Sequence, residues 1–219
     1  MDLIDGIMTL RAIRRFTDEP ITDEEVLTCL RAARQAPSGG NIQPWQFLVV
    51  RDEALRRSLG DIYRRAYDRY EPAMLAATPP FRDDAEAERH RRTVASARYL
   101  AEHLHEAPVI VLFLMPNISM TLHDAEGPLD VGTPWASVYP AVQNFMLAAR
   151  ALGIGTTLTT VIRIYQDEVR ALLAIPDRYE LAALVPMGRP RGRFGVAPRK
   201  PLAAVTHWDR FGSRRADIE

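Results

Sequence analysis

Three arginines lie between positions 11 and 15, in Leu10-Arg11-Ala12-Ile13-Arg14-Arg15-Phe16. Two guanidiniums facing one way repel unless an anion lies between them, and phosphate suits their forked donors. Leu3, Ile7 and Leu10 recur at helical spacing, so a helix is expected from Asp2 to Arg15. Arg11 and Arg14, three apart, would then share a face. The plainer alternative is a solvated charged face. A second stretch, Pro37-Ser38-Gly39-Gly40-Asn41-Ile42-Gln43-Pro44-Trp45, is a loop by composition. Adjacent glycines let backbone N–H groups approach something planar or anionic, although an ordinary helix-to-strand connection reads the same way. A third, Gly153-Ile154-Gly155-Thr156-Thr157-Leu158-Thr159-Thr160, offers hydroxyls, yet its threonines fit a β-strand on propensity alone. Pro198-Arg199-Lys200-Pro201-Leu202 adds two more cations.

Composition excludes several classes. Lys+Arg and Asp+Glu are both 28, so no net field favours nucleic acid or an anionic membrane. Lys200 is the only lysine and no P-loop surrounds it. The single cysteine, Cys29, permits no internal disulfide and reads as a packed thiol. His103-Leu104-His105 lacks helical ligand spacing, so no metal site is expected. Gly188 to Gly195 does not make a dinucleotide fingerprint. The uncharged run Val131 to Ala149 contains prolines, Gln143 and Asn144, which suits a buried helix better than a membrane span. With acids at Asp2 and Asp5 and no long apolar core at the N-terminus, a reduced, cytoplasmic location is expected.

The elements that must position these residues follow in order. Thr22 and Glu25 form a capping box at the start of a helix running to Gln35. Trp45 to Val50 reads as a strand and Asp52 to Arg69 as a charged helix. Glu71 to Arg92, with three prolines and many charges, reads as an irregular surface excursion, either a lid or a tolerated insertion. Thr93 to Glu106 reads as helix and Val109 to Leu114 as a central strand. Residues 116–130 read as loop and Trp135 to Leu152 as a long helix holding an unexplained Pro140. Thr156 to Val161 reads as strand, Tyr165 to Leu173 as helix and Tyr179 to Gly188 as another central strand. Val138, Val142, Phe145 and Ala149 share a helical face that could be a dimer core or intrachain core. The expected architecture is α+β: one domain over 1–219, a lid around 63–92 and a C-terminal extension from about 203.

Taken together, Arg11-Ala12-Ile13-Arg14-Arg15-Phe16 and Pro37 to Trp45 resemble the N-terminal signature of the FMN-dependent nitroreductase family, Arg-Ser-x-Arg-x-Phe followed by Pro-Ser-x-x-Asn-x-Gln-Pro-Trp. The resemblance implies a mixed, mainly antiparallel sheet flanked by helices on both faces, in a homodimer with flavin sites at the subunit interface. It implies FMN held by its phosphate at Arg11, Arg199 and Lys200, with Arg14 near N1 and O2 of the ring. Ala12 stands where the family often has Ser, so one phosphate-binding hydroxyl is missing. Pro37, Ser38, Gly39 and Asn41 would cover a flavin. Leu158, Thr159 and Thr160 would pass over it, with Thr160, then Thr159, donating to N5. Trp135 and the Tyr63–Tyr70 region would be pocket walls.

The activity so implied is NADH- or NADPH-driven, ping-pong reduction of nitroaromatics, quinones or similar electron-poor small molecules, with no side chain named as catalytic. Its rivals are a flavin-fragmenting enzyme, a reductive dehalogenase and a flavin-sequestering protein. The absence of any lysine from the middle of the chain weighs against the amino-acid clamp of the dehalogenases.

Overall fold

The computed structural model describes residues 1–117, 122–215 and 217–218. Its helices are α1 (Leu3–Thr9), α2 (Asp23–Ala33), α3 (Glu53–Ala76), α4 (Asp84–His103), α5 (Tyr139–Ala151), α6 (Gln166–Leu173) and α7 (Leu202–Val205). Its strands are β1 (Gln46–Val50), β2 (Val109–Pro116), β3 (Leu122–Asp124), β4 (Gly127–Leu129), β5 (Gly155–Thr156) and β6 (Tyr179–Gly188). Four strands form an antiparallel sheet in the order β1-β2-β6-β5, and β3 pairs with β4 in a separate hairpin. The architecture is the expected α+β arrangement.

The sheet is covered on both faces, which is why β2 and β6 are apolar throughout rather than alternating. Val111, Phe113 and Met115 of β2 join a core with Cys29 and Ala33 of α2 and Val142 and Phe145 of α5. Ile110, Leu112 and Leu114 join the opposite core with Leu59 and Tyr63 of α3, Leu100 of α4 and Val169 of α6. Opposite Phe113 and Leu114 the register of β6 skips from Ala183 to Leu181, leaving Ala182 as the extra residue of a bulge. Ala182 therefore faces the same core as Ala183. Val138, Val142, Phe145 and Ala149 are fully buried within the single chain, so they are intrachain core rather than a dimer seam.

The capping box forms as expected: Thr22 Oγ1 accepts from Glu25 N at 3.2 Å while Glu25 Oε2 accepts from Thr22 N at 2.9 Å. On this helix, burial first and the Glu25 charge second push the Cys29 thiol up to about 12. The folded protein is expected to resist an aromatic disulfide reagent at pH 8 and to react only in denaturant. Prompt labelling in native buffer would mean that α2 opens. Because the folded value is raised, the stability gained by burying the neutral thiol is present at neutral pH and lost as pH rises through about 12.

Five expectations about elements need correction. The first helix stops at Thr9, and residues 10–16 run extended because they find partners elsewhere: Ile13 N donates to Thr156 O at 2.9 Å and Phe16 bridges Pro190. Arg11 and Arg14 are therefore no helical pair. The stretch read as irregular is mostly helix. α3 continues through Pro72 to Ala76, and α4 begins at Asp84, whose preceding Asp83 caps it by accepting from Glu86 N at 2.6 Å. Charges spaced three and four apart, such as Glu88 with Arg91 and Arg92, are the solvated face of that helix. Arg98 on α4 ties the hairpin together by pairing with Asp68 and Glu71 on α3.

Within 116–130, residues 122–129 form the β3–β4 hairpin, with Asp124 Oδ1 accepting from Glu126 N and Gly127 N at its turn. Residues 134–137 are a 3-10 turn and α5 starts at Tyr139, so Pro140 sits in the first turn, where its missing N–H costs nothing. The threonine stretch is strand only at Gly155–Thr156. Thr159 makes a single bridge to Leu184, and residues 161–165 turn into a 3-10 helix.

Candidate functional site

Ile13 and Phe16 anchor the extended segment. Both are buried, and Ile13 packs so closely over Gly155 that a Cβ there would lie 2.6 Å from the Ile13 Cγ2. Gly188 beneath Phe16 is somewhat less tight, its Cβ position lying 2.9 Å from the Phe16 Cδ1. With Ile13 and Phe16 held inward, Arg11, Ala12 and Arg14 are free to line a cavity of about 540 Å3. Arg199 lines the same cavity, as do Leu158 and Thr157, so both ends of the chain meet there.

Among the described residues no carboxylate pairs with Arg11, Arg14, Arg199 or Lys200, whereas arginines such as Arg65, Arg98 and Arg189 are paired. Among the described residues Arg199 donates only to the neighbouring Pro198 carbonyl at 3.1 Å. Arg14 is half-buried, and its best side-chain contact is Ser96 Oγ at 3.5 Å. Burial holds its pKa below the usual guanidinium value, against opposing contributions from Tyr63 and Tyr67. Thr156 Oγ1, also on this cavity, is buried without a hydrogen-bond partner in the described structure. Unpaired cations and an orphaned hydroxyl around one hollow fit a ligand with an anionic group, because a buried polar group without a partner costs about 1–3 kcal/mol.

The remaining expected residues are distributed otherwise. Pro37, Ser38 and Gly39 line a separate hollow of about 530 Å3 with residues 131–134, 136 and 137, where Gly39 N donates to Ser137 Oγ at 3.3 Å. Asn41 faces a third opening with Arg34 and Gln43. The loop is conformationally tense, with Gly40, Asn41 and Gln43 at φ of 56°, 55° and 47°. Lys200 is exposed beside Arg199 and does not line the cavity. Thr159 shares a 3.1 Å hydrogen bond with the Tyr63 hydroxyl on a smaller cavity, which Tyr67 and Tyr70 also line. Thr160 is exposed and lines neither. Trp135 lies under Arg163, whose Cζ is 4.7 Å from its ring centroid, and lines none of these hollows.

Met8, Met146, Val196 and Ala197 of the main cavity went unread in the sequence, Thr157 was read only as part of its threonine stretch, and Gln143 only as a polar interruption of α5. Gln143 carries a usable signal, being with Asn144 one of two amides in a largely apolar helix. Thr157 had none beyond its neighbours, yet it lines both the main and the smaller cavity.

A family model described as "Nitroreductase family" matches residues 7–189. The chain belongs to the nitroreductase family. This nitroreductase-family chain is 32% identical over 203 residues to 5,6-dimethylbenzimidazole synthase of Rhodospirillum rubrum, covering 89% of each. It is 26% identical to an FMN reductase (NADPH) of Bacillus subtilis, covering 98% of this chain and 76% of that one. A solved structure of oxidized iodotyrosine deiodinase bound to FMN and 3-iodo-L-tyrosine superposes with a TM-score of 0.72 at 24% identity, covering 96% of this chain and 100% of the other. That last likeness establishes the shared fold.

Proposed function

We propose that this chain is an FMN-dependent oxidoreductase that uses NADH or NADPH to reduce nitroaromatics, quinones or similar electron-poor small molecules. The observation that carries the reading is the meeting of Arg11, Arg14 and Arg199, all without carboxylate partners among the described residues, around one cavity. Bound there, FMN would supply the redox ring that takes a hydride and passes electrons onward. Arg11 and Arg199 would hold its phosphate, with Lys200 adding charge beside them. Arg14 would bring a cation to the ring. Leu158 and Thr157 would form the wall against it, and Thr159, bonded to Tyr63, lines the smaller cavity, whereas Thr160 lines neither.

The loop carrying Pro37, Ser38, Gly39 and Asn41 faces a different hollow of the same chain. It would therefore cover the flavin of a second copy, making the working unit a homodimer. The α3–α4 hairpin would act as the lid, and a reduced cytoplasmic setting suits a chain whose one thiol is buried and free. No helix is long and apolar enough to cross a membrane among the described residues.

The test is steady-state oxidation of NADH or NADPH with a nitroaromatic or quinone. Parallel double-reciprocal lines, the mark of ping-pong turnover, are expected. Protein made with ample riboflavin that carries no chromophore, and takes up none from added FMN, overturns the reading. A second reading is favoured by the 32% identity to a 5,6-dimethylbenzimidazole synthase. It expects that compound to form from FMN under oxygen, and chromatography of the reaction separates the two.

A further inference from the structure

The smaller cavity, about 260 Å3, lies between the α3–α4 hairpin and Thr157, Leu158, Thr159 and Val161. Arg14, Thr157 and Leu158 form a wall common to it and the main cavity. Tyr63, Tyr67 and Tyr70, on successive turns of α3, line it as a ladder with ring centroids 6.4 and 5.9 Å apart. Among the described residues no carboxylate lines it: Asp68 and Glu71 on the same helix are held by Arg98. His90 of α4 does line it, and its Nε2 is shut away from solvent with no hydrogen-bond partner in the described structure. Phe81 packs on the imidazole at 5.0 Å between centroids, which leaves the ring nitrogen as the group still to be satisfied. The Tyr63 hydroxyl, by contrast, is already engaged with Thr159.

Aromatic walls select a planar ring, and a lining of donors without carboxylates selects an oxygen that accepts or is acidic. The volume lies below the roughly 300–1,000 Å3 of sites for drug-sized ligands, so one ring fits. We propose that this cavity binds a single-ring aromatic molecule bearing an acidic oxygen, its ring against the tyrosine ladder and its oxygen read by His90. The inference rests on the proposed oxidoreductase function for what the ligand is used for: it names the class of aromatic that reaches the wall shared with the main cavity. Binding itself does not depend on that function.

The experiment is calorimetric titration of the purified protein with benzoate, cyclohexanecarboxylate (charge without the aromatic ring) and benzyl alcohol (ring without the acidic oxygen). Flavin content is read from absorbance of the same sample. Benzoate is expected to bind at least tenfold tighter than either comparison compound. His90→Phe, which keeps the packing on Phe81, is expected to lose at least tenfold in benzoate affinity with flavin content unchanged, while His90→Gln restores most of it. Benzoate binding no tighter than the other two compounds overturns the proposal. So does parental affinity in folded His90→Phe or, if that variant does not fold, in Tyr70→Ala at its partly exposed position. Yellow protein without a benzoate preference rejects this inference and leaves the proposed function standing. Colourless protein that prefers benzoate does the reverse.

Discussion

Arg11→Ala combined with Arg199→Ala is expected to give a colourless protein that is still folded. Both side chains are exposed, and neither has an ion-pair partner among the described residues, so folding loses little. Each would contribute a charge-assisted hydrogen bond to a phosphate, worth about 1.5–3 kcal/mol. Losing two removes about 3–6 kcal/mol of binding, a roughly 10²- to 10⁴-fold rise in Kd for FMN. Fluorescence titration of the apoprotein with FMN measures this, with Arg82→Ala on the solvated hairpin as the unaffected control. A double variant that binds FMN within threefold of the parent would remove the phosphate from this cavity.

Gly155→Ala is the second substitution with a large expected effect, and it acts on the fold. The new methyl would sit 2.6 Å from the Ile13 Cγ2 and 2.8 Å from the Ile13 Cβ. Ile13 cannot simply rotate away, since its Cβ is fixed to a backbone that donates to Thr156 O at 2.9 Å. The extended segment must lift, at a cost of about 1–3 kcal/mol for such overpacking. For a chain of this size that lowers Tm by about 2–4 °C per kcal/mol. Flavin affinity should fall with it, because the same segment carries Arg11 and Arg14. Gly195→Ala, where nothing lies within 4 Å of the added carbon, is the control and should leave Tm unchanged. Thermal unfolding of the two variants side by side decides the matter: a Gly155→Ala midpoint within 1 °C of the parent, on the order of an exposed substitution's effect, would show that Ile13 is not the anchor.

Elements whose cause lies in neighbouring residues were readable directly. The Thr22–Glu25 capping box is one, since both halves of the interaction lie within a single turn. β6 spans Tyr179–Gly188 as expected, because a strand buried on both faces needs an unbroken apolar run. The first half of α4, Asp84 to Arg92, was missed because its charges and the prolines at Pro79 and Pro80 suggested irregular chain. Those prolines lie in the connection before Asp83, outside the helix they seemed to break. The end of α1 was missed for another reason: nothing local stops a helix at Thr9. It stops because Ile13 and Phe16 gain backbone partners at Thr156 and Pro190, far along the chain.

The same division applies to the site. The amino-acid sequence alone determined which side chains could meet an anion: Arg11, Arg14, Arg199 and Lys200 are cations with few neighbouring acids, and the motifs around them carry the family resemblance. Folding in three dimensions decided which of them share a hollow. It brought Arg199 to Arg11 across nearly the whole chain, left Lys200 outside, turned Thr159 toward Tyr63 and set the Pro37–Asn41 loop on another surface. Residue type and short spacing are properties of the covalent chain. Proximity between residues 11 and 199 comes from β5 pairing with β6 and from Ile13 closing over Gly155, contacts that exist only once the core has packed.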